Sequence, residues 1–392
     1  MAVHDWSTGR KALAVLGPLL LCVALAGLLL LKVRAPFAWM GFLLGGWSLW
    51  TGFVCRSWAR WGINGAAILA TLGMAELLLS KSNLAHGTYV CLNQPQRNYI
   101  LRDDVLGITP RPDCQVRHHL QARGQDLFDT VYTIDEHHLR VVVPAGDPAH
   151  ETVVFCGCSF TFGEGVADDE TLPSRVAQLR PDLRVLNFGF HGYGPHQMLA
   201  NLESGRIAQL CPQPPRVVVF QMIPDHINRV VGWVPYNPHA PRYGWREGRI
   251  ERLGHLDDHF LTRKSRTALM KSKIFQQFLA PHLKPTSAVE LTAAIVAQSA
   301  AEVNRQFPGC EFHVLYWISQ RDATTPGLRQ ALQRHGLNLH VVEELDPELA
   351  EQRFLIPGDG HPTAEAHARL AQRVEETILG PAVGPPPEDA TR

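Results

Sequence analysis

The sequence lacks a net charge and lacks internal repeats. Its 392 residues include 37 lysines and arginines and 37 aspartates and glutamates, so the formal charge is zero. A protein that binds nucleic acid through its surface charge needs a basic excess. The composition therefore gives no indication of a nucleic-acid partner, and no repeat architecture is indicated.

The N-terminal region lacks a cleavage site for a signal peptide, although it is strongly apolar. Residues 12–31 carry no charge and are long enough to cross a bilayer as a helix. Because further apolar segments follow at once, we predict that this segment stays in the membrane. Residues 37–55 and 61–79 are a second and a third predicted span, and Glu76, near the end of the third, is interpreted as interfacial.

The weak bias of basic residues around these segments favours an inside N-terminus. Three spans would then place the rest of the chain outside the cytoplasm, whereas two spans would return it to the cytoplasmic side. We therefore expect a multi-pass membrane protein whose main domain lies on the periplasmic side.

Five short runs of β-branched and aromatic residues occur after residue 150. Such runs are typical of strands that are buried on both faces of a parallel sheet. Segments of helical length lie between them, which predicts a doubly wound α/β domain with about five parallel strands. The strand runs are 152–156, 184–188, 216–222, 311–318 and 338–342, and the helical segments are 172–179, 195–209, 287–307, 326–335 and 363–379.

The composition divides the chain into four regions. The predicted regions are a membrane region at 1–80, an irregular and partly β lead-in at 81–150, an α/β domain at 151–380 with an insertion at 224–286, and a disordered tail at 381–392. The lead-in contains extended runs at 131–134 and 139–143 and is expected to pack on the α/β domain. A connection as long as the insertion is usually functional, and we interpret it as either a substrate lid or a peripheral hairpin.

Candidate catalytic residues follow the predicted strands. In an open parallel sheet, ligands bind beyond the carboxyl ends of the strands. Ser159 follows the first run in the turn GCSFTFGEG, where the glycines permit close backbone approach and the next helix points its N–H groups at an oxyanion. The segment NFGFHGYG follows the second run, and GDGHP follows the last. In that last segment His361 can accept the serine proton, while Asp359 fixes the imidazole tautomer.

Together, these blocks resemble the SGNH or GDSL-like hydrolase family over residues 150–380. GCSFTFGEGV is similar to the first block of that family, NFGFHGYGPHQ to its glycine block, and DGHP before a helix to its last block. The resemblance implies a flavodoxin-like three-layer fold with Ser159 as nucleophile, His361 as general base and Asp359 as the orienting carboxylate. It also implies an oxyanion hole formed by the backbone N–H groups of Ser159 and Gly192. This chemistry requires no cofactor.

Three positions depart from the family pattern. Cys158 precedes the serine where the family usually has aspartate, and the last block is Asp-x-His instead of the commoner Asp-x-x-His. The segment QMIPDHINR has no asparagine at the usual place of the side-chain oxyanion donor. Loss of one such donor costs about a hundredfold or more in rate. Either Asn228, His226 or another donor therefore replaces it, or the enzyme is slow.

Other candidate sites carry weaker signals. Arg242, Trp245 and Arg246 in the insertion form either a solvated surface or a clamp for an anionic glycan or lipid headgroup. Cys156 and Cys158 suggest a soft-metal site, but no nearby histidine or cysteine in the sequence completes four ligands. We therefore predict no metal site.

The sequence supports three functions. The first is a serine esterase that removes acyl groups from a glycan or lipid at the membrane surface through an acyl-serine intermediate. The second is a polysaccharide O-acyltransferase with the same triad, which the shorter Asp-x-His block favours and which would need a membrane partner that supplies the acyl donor. The third is a non-catalytic glycan- or lipid-binding module on an inactivated hydrolase fold.

Overall fold

The structure is a computed structural model. It describes residues 43–45, 59–85, 89–91, 99–122, 125–234, 236–258, 269, 272–279, 286–318 and 325–380. The chain forms two compact units. The described residues of Met1–Thr88 and Lys264–Lys284 belong to the first unit, and those of Tyr89–Arg263 and Pro285–Arg392 belong to the second.

The first unit contains helix α1 (Ala59–Ala85) and a π-helical turn at Phe275–Leu279. Glu76 on α1 is only 2% exposed. Its carboxylate accepts hydrogen bonds from the backbone N–H groups of Lys273 (2.5 Å) and Ile274 (3.0 Å) and from the Ser272 hydroxyl (3.0 Å). The carboxylate predicted to be interfacial is therefore buried against the second segment of its own unit.

The first predicted span, at 12–31, and the predicted tail lie outside the described residues. The second span, at 37–55, also lies outside them except at 43–45, and the third, at 61–79, lies within α1. Within the part of the chain that the structure describes, no helix has both the length and the apolar composition to cross a membrane.

The second unit contains the twelve described strands and nine described α-helices. In chain order these are β1 (Tyr89–Cys91), β2 (Ile100–Asp103), β3 (Gly107–Pro110), β4 (Cys114–Ala122), β5 (Gln125–Ile134), β6 (Glu151–Gly157), α2 (Ser159–Phe162), α3 (Leu172–Leu179), β7 (Leu183–Gly189), α4 (Pro195–Glu203), α5 (Arg206–Leu210), β8 (Val217–Met222), α6 (His226–Val230), β9 (Pro241–Arg246), β10 (Arg249–His255), α7 (Thr286–Gln306), β11 (Glu311–Tyr316), α8 (Thr325–Arg334), β12 (Asn338–Val341), α9 (Val342–Leu345) and α10 (Ala364–Val374).

The central sheet has five parallel strands in the order β12-β11-β8-β6-β7. Each of the five predicted strand runs forms one of these strands, so the predicted α/β class and strand number are confirmed. By sequence rank the order is 5-4-3-1-2, which is the flavodoxin-like arrangement. The strand order reverses between β6 and β8, and loops that leave this point diverge to form a crevice.

Two apolar clusters cover the faces of this sheet. On one face α4, α7 and α8 pack on strand residues such as Val154 and Val218. On the other face α3 and α10 pack on the neighbouring residues Val153 and Val217. All four valines are 0–1% exposed, because a parallel sheet between two helical layers buries the side chains of both faces. The predicted three-layer architecture follows from this packing.

The helix predicted at 195–209 is interrupted. It forms α4 and α5, because Gly205 adopts a left-handed conformation (φ +74°) between them. The helix predicted at 363–379 is α10 followed by a π-helical turn at Glu375–Leu379. The other predicted helices agree with the structure to within one residue at each end.

The lead-in is more regular than expected. Strands β4 and β5 form a long antiparallel hairpin, and β1 pairs with β4. The run predicted at 139–143 forms no strand and contributes only an isolated bridge between Arg140 and Ile134. Tyr99, Leu106 and Tyr132 of the lead-in share one apolar cluster with Phe162 and Phe190, so the lead-in packs beside the turns that follow β6 and β7.

The insertion at 224–286 belongs partly to each unit. Its first part contains α6 and the antiparallel hairpin of β9 and β10. Tyr243 and Ile250 of this hairpin pack against Leu199 of α4 and Ile295 of α7. This part of the insertion is therefore a hairpin on the helical layer of the second unit.

Candidate active site

The three predicted triad residues come together at the carboxyl edge of the central sheet. Ser159 is the first residue of α2 and follows β6 after one residue, Cys158. Asp359 and His361 lie in the loop before α10. The serine thus stands at the crevice where the strand order reverses.

The distances in this group are those of a serine nucleophile with its base. His361 Nε2 lies 2.8 Å from Ser159 Oγ, and His361 Nδ1 lies 2.5 Å from Asp359 Oδ2. The Nδ1–H group donates to the carboxylate, which leaves Nε2 free to accept the hydrogen bond of the serine hydroxyl. Ser159 is 5% exposed, so most of its surface is shielded from bulk water.

The short Asp-x-His spacing is accommodated by a tight loop. Asp359 Oδ2 also accepts a hydrogen bond from the backbone N–H of His361 (3.3 Å), and the N–H groups of Asp359 and Gly360 donate to the carbonyl of Ile356. Gly360 has φ +90°, a left-handed conformation that favours glycine. One residue between the aspartate and the histidine is therefore enough for the carboxylate to reach the ring.

A second carboxylate approaches the same imidazole. Glu164 Oε2 lies 3.5 Å from His361 Nε2 and 2.8 Å from Nδ1 of His191. These three side chains are 16–18% exposed. Glu164 and His191 occur in the glycine-rich turns after β6 and β7, but the sequence assigned them no role. The sequence does contain a glutamate in the first of these turns and a histidine in the second, at the same edge of the predicted sheet.

Electrostatics raise the basicity of His361. Burial alone lowers the pKa of this histidine, but the charge of Glu164 and then the hydrogen bond and charge of Asp359 outweigh it, so the pKa lies above its usual value of 6.5. Burial raises the pKa of Glu164, but attraction to His191 and His361 outweighs burial and lowers it. Glu164 is therefore ionised at neutral pH.

Arg140 holds the turn that follows α2. Its guanidinium is buried and donates to the carbonyls of Phe162 (2.8 Å), Gly163 (2.5 Å) and Val166 (2.7 Å) and to Asp168 (2.9 Å). Four acceptors that would otherwise lose their water are satisfied by one cation. This arrangement fixes the backbone on both sides of Glu164.

Two polar residues hold α2 from the sheet side. The Thr161 hydroxyl donates to Oε1 of Gln221 at the end of β8 (2.8 Å), and the Asn187 amide donates to the Thr161 carbonyl (3.1 Å). Thr161, Gln221 and Asn187 are 0–1% exposed, so these hydrogen bonds do not compete with water. The serine is thereby anchored to β7 and β8.

The candidate oxyanion donors differ in where they lie. Gly192 has φ +72°, and a Cβ on it would lie 2.9 Å from the ring of Tyr236, so glycine is required there. Asn228 lines the cavity described below, and its amide donates to Asp225 Oδ1 (2.9 Å). His226 is 0% exposed and its ring lies against Phe220, because the first turn of α6 directs it into the core.

A cavity of about 990 Å³ opens beside the triad. Its wall includes Asp359 and Phe160, the residue that follows the serine, and Phe160 also contacts the rings of His361 and Trp317. The other lining residues are mainly apolar: Ile223, Pro224, Asp225, Asn228, Trp317, Ile318, Glu343, Leu349, Ala350, Gln352, Arg353, Leu355, Ile356, Pro357, Gly358 and Gly360.

The three predicted substrate-binding residues do not line this cavity. Arg242, Trp245 and Arg246 lie on β9. Arg242 donates to the carbonyl of Leu253 on the paired strand, and Arg246 lies 3.9 Å from Glu251 of the same hairpin. Trp245 is 51% exposed. Because β9 pairs with β10, these side chains lie on the surface of the hairpin.

Cys156 and Cys158 are buried free thiols, and Cys114, Cys211 and Cys310 are also unpaired. Among the described residues, no group of three histidine, cysteine, aspartate or glutamate side chains is arranged to hold a metal ion.

Comparison with known proteins gives matches to solved structures. No family model and no curated protein sequence matches the chain. LAE5, an alpha/beta hydrolase from the metagenome of Lake Arreo, is 15% identical, and the match covers 58% of this chain and 94% of that one with a TM-score of 0.34. A member of the lipolytic G-D-S-L family from Veillonella parvula is 12% identical, over 59% and 99% of the two chains, with a TM-score of 0.33. A catalytic mutant of Axe2, an acetylxylan esterase from Geobacillus stearothermophilus, is 14% identical, over 59% and 94%, also with a TM-score of 0.33.

Proposed function

We propose that this protein is an SGNH-type serine esterase that cleaves acyl esters through an acyl-Ser159 intermediate. The observation that carries the proposal is the continuous hydrogen-bonded series from Ser159 Oγ through His361 to Asp359, located at the crevice of a flavodoxin-like sheet. A serine is a weak nucleophile unless a base accepts its proton, and this geometry supplies the base.

In the first half of the reaction, the Ser159 hydroxyl passes its proton to His361 Nε2 while Oγ bonds to the carbonyl carbon of the ester. The C–O bond to the alcohol then breaks, and the alcohol oxygen takes the proton from Nε2. In the second half, water passes a proton to Nε2, its oxygen bonds to the acyl carbon, and Ser159 recovers its proton as the acid leaves. Asp359 holds the ring and stabilises the imidazolium in both halves.

The negative charge on the carbonyl oxygen requires preorganised donors. The backbone N–H groups of Ser159 and Gly192 are our candidates, with the second amide hydrogen of Asn228 as a third donor. Asn228 is held by Asp225, which also accepts hydrogen bonds from Arg229 (2.9 Å) and Tyr236 (2.9 Å). A side chain fixed in this way loses little entropy when it binds the oxyanion.

The cavity beside the triad suits the acyl group of the substrate, because most of its wall is apolar. We propose an acylated glycan or lipid at a membrane surface as the substrate. The apolar segment at 12–31 supports the membrane location.

A second candidate is transfer of the acyl group to a hydroxyl acceptor on a polysaccharide. The volume of the cavity, about 990 Å³, supports it, because this space has room for an acceptor larger than water. The chemistry differs only in the second half, where the acceptor hydroxyl replaces water and a membrane partner supplies the acyl donor.

The test uses the full-length protein in detergent and short-chain nitrophenyl esters. We expect nitrophenol release that Ser159→Ala and His361→Ala both abolish while circular dichroism stays unchanged. Release that persists in His361→Ala would exclude this triad. Adding an oligosaccharide and analysing the products by mass spectrometry separates the two candidates, since an acylated sugar forms only by transfer.

A further inference from the structure

We propose that Glu164 and His191 form a second carboxylate–imidazole pair that controls the basicity of His361, with Glu164 as a positioning residue for the imidazolium formed during acyl transfer. This inference rests on the proposed function, because it concerns the base of that reaction. It assigns roles to two residues outside the Ser159–His361–Asp359 triad.

The geometry places Glu164 at the catalytic face of the ring. Asp359 contacts Nδ1, whereas Glu164 Oε2 lies 3.5 Å from Nε2, the atom that exchanges protons with Ser159. Before proton transfer Nε2 has no hydrogen for Glu164, so the serine hydroxyl is its partner at 2.8 Å. After proton transfer the new N–H group lies between the serine oxygen, the leaving oxygen and Glu164 Oε2. A carboxylate at this distance attracts the imidazolium more than the neutral ring.

His191 limits this attraction. Its Nδ1 lies 2.8 Å from the same oxygen of Glu164 that faces His361. The ring of His191 is fixed by aromatic neighbours, with ring centroids 4.3 Å away for Phe162 and 5.1 Å away for Phe190. Because one carboxylate oxygen serves two imidazoles, a hydrogen bond or positive charge on His191 reduces the stabilisation that Glu164 gives to His361.

The surroundings explain why the charges act strongly here. The side chains of Glu164, His191 and His361 are less than one-fifth exposed, so water screens them little. Arg229 on α6 acts against protonation of His361, and the carboxylates Glu164 and Asp359 act in favour of it. The other titratable groups that interact with His361 or Glu164 from the packed elements are His118 on β4, Tyr99 and Tyr132 of the lead-in, and His367 on α10.

Glu164 takes no part in the transfer of the proton itself. Glu164 accepts a hydrogen bond from Nε2–H but does not take the proton, which passes from Ser159 to Nε2 and then to the leaving alcohol. Its contribution is therefore a change in the pH at which the base works. A purely structural residue in the turn after α2 would lower the amount of folded protein without moving that pH.

The two residues predict shifts in opposite directions. Glu164→Gln keeps the size of the side chain but removes the negative charge, so the titration midpoint of His361 falls by about one unit or more. In His191→Phe the side chain neither donates a hydrogen bond to the carboxylate nor carries a positive charge, so the midpoint of His361 rises. Glu311→Gln is the matched control. Glu311 also pairs with a histidine, His313, at 2.9 Å, but lies at the amino-terminal end of β11, at the opposite edge of the sheet.

The measurement is a histidine NMR titration of the full-length protein in detergent with ¹³C-labelled rings. The His361 signal is identified by its loss in His361→Gln, and the titrations are run in a Ser159→Ala background. We expect a lower midpoint in Glu164→Gln, a higher one in His191→Phe and no change in Glu311→Gln. An unchanged midpoint in Glu164→Gln, or shifts of the same sign in the two site variants, would overturn the inference.

A second measurement separates this inference from the proposed function. The rate at which a fluorophosphonate probe labels Ser159 is followed against pH in the protein that retains the serine. We expect the acid limb of the pH profile to move to lower pH in Glu164→Gln. Well below the midpoint, the labelling rate of this variant, as a fraction of its own maximum, should be about ten times the same fraction for the unsubstituted protein. No labelling together with the expected NMR shifts would contradict the serine chemistry and leave the role of Glu164 supported.

Discussion

Replacement of Asp359 by asparagine tests the geometry of the short Asp-x-His loop. Both the ring Nδ1 (2.5 Å) and the backbone N–H of His361 (3.3 Å) contact the same carboxylate oxygen, Oδ2. The carbonyl oxygen of an asparagine placed there accepts both hydrogen bonds. The variant therefore keeps the productive tautomer of His361 and loses only the charge.

The expected loss follows from the energies of these hydrogen bonds. A hydrogen bond to a charged group contributes about 1.5–3 kcal/mol and a neutral one about 0.5–1.5 kcal/mol. The corresponding ends of these two ranges differ by about 1–1.5 kcal/mol, which lowers kcat/KM by about 5- to 13-fold. Asp359→Ala removes the whole interaction and is expected to cost about 10- to 150-fold or more. In the Ser-His-Asp template of serine proteases the asparagine variant loses about 10⁴-fold, because the tautomer is wrong.

The assay is steady-state hydrolysis of a short-chain nitrophenyl ester at the pH optimum of each variant. Equal thermal stability of the two variants serves as the control for folding. A loss near 10⁴-fold in Asp359→Asn, or an alanine variant more active than the asparagine variant, would show that the loop does not fix the tautomer as described.

Further predictions concern stability, pH and the hairpin. Arg140→Met removes the cation that binds three buried carbonyls and the partly exposed Asp168 carboxylate, and it should lower the free energy of unfolding by about 3–5 kcal/mol, as measured by denaturant titration. Because the pKa of His361 is raised and the base works only when neutral, kcat/KM should rise with pH through a midpoint above 6.5; a midpoint below 6.5 would contradict the described electrostatics. Gly360→Ala introduces a side chain at φ +90° and should cost about 1–3 kcal/mol, with reduced turnover. Because Trp245 does not line the cavity beside the triad, Trp245→Ala should leave kcat/KM unchanged, whereas a large rise in KM would support the substrate-binding role of the hairpin.

The central sheet was predictable because burial on both faces leaves continuous apolar runs. The run that forms β8 has no exposed face, so it differs clearly from surface segments. The hairpin of β4 and β5 was interpreted as irregular because its strands are partly exposed, and CQVRHHLQA mixes charged and apolar residues. The break between α4 and α5 depends on the left-handed conformation of Gly205, which the apolar pattern does not encode.

The candidate triad was predictable from residue type and from position after a strand, since parallel strands bring their following turns to one edge. The pairing of Glu164 with His191 was not, because it depends on the exact course of two turns in space. The inward direction of His226 was also unpredictable, since the first turn of a short helix can present this ring to either side. The side chains of the insertion remained ambiguous until their strand pairing was known.

The sequence distance between the nucleophile and its base has a consequence for biosynthesis. Ser159 and His361 are 202 positions apart, and α10, which follows His361, packs against α3, which follows Ser159. Closing so long a loop is entropically costly until the sheet between its ends has formed. During translation the serine therefore emerges well before its base, and the chain has no activated nucleophile until nearly all of the sheet domain has been made. A nascent or C-terminally truncated chain cannot attack esters prematurely.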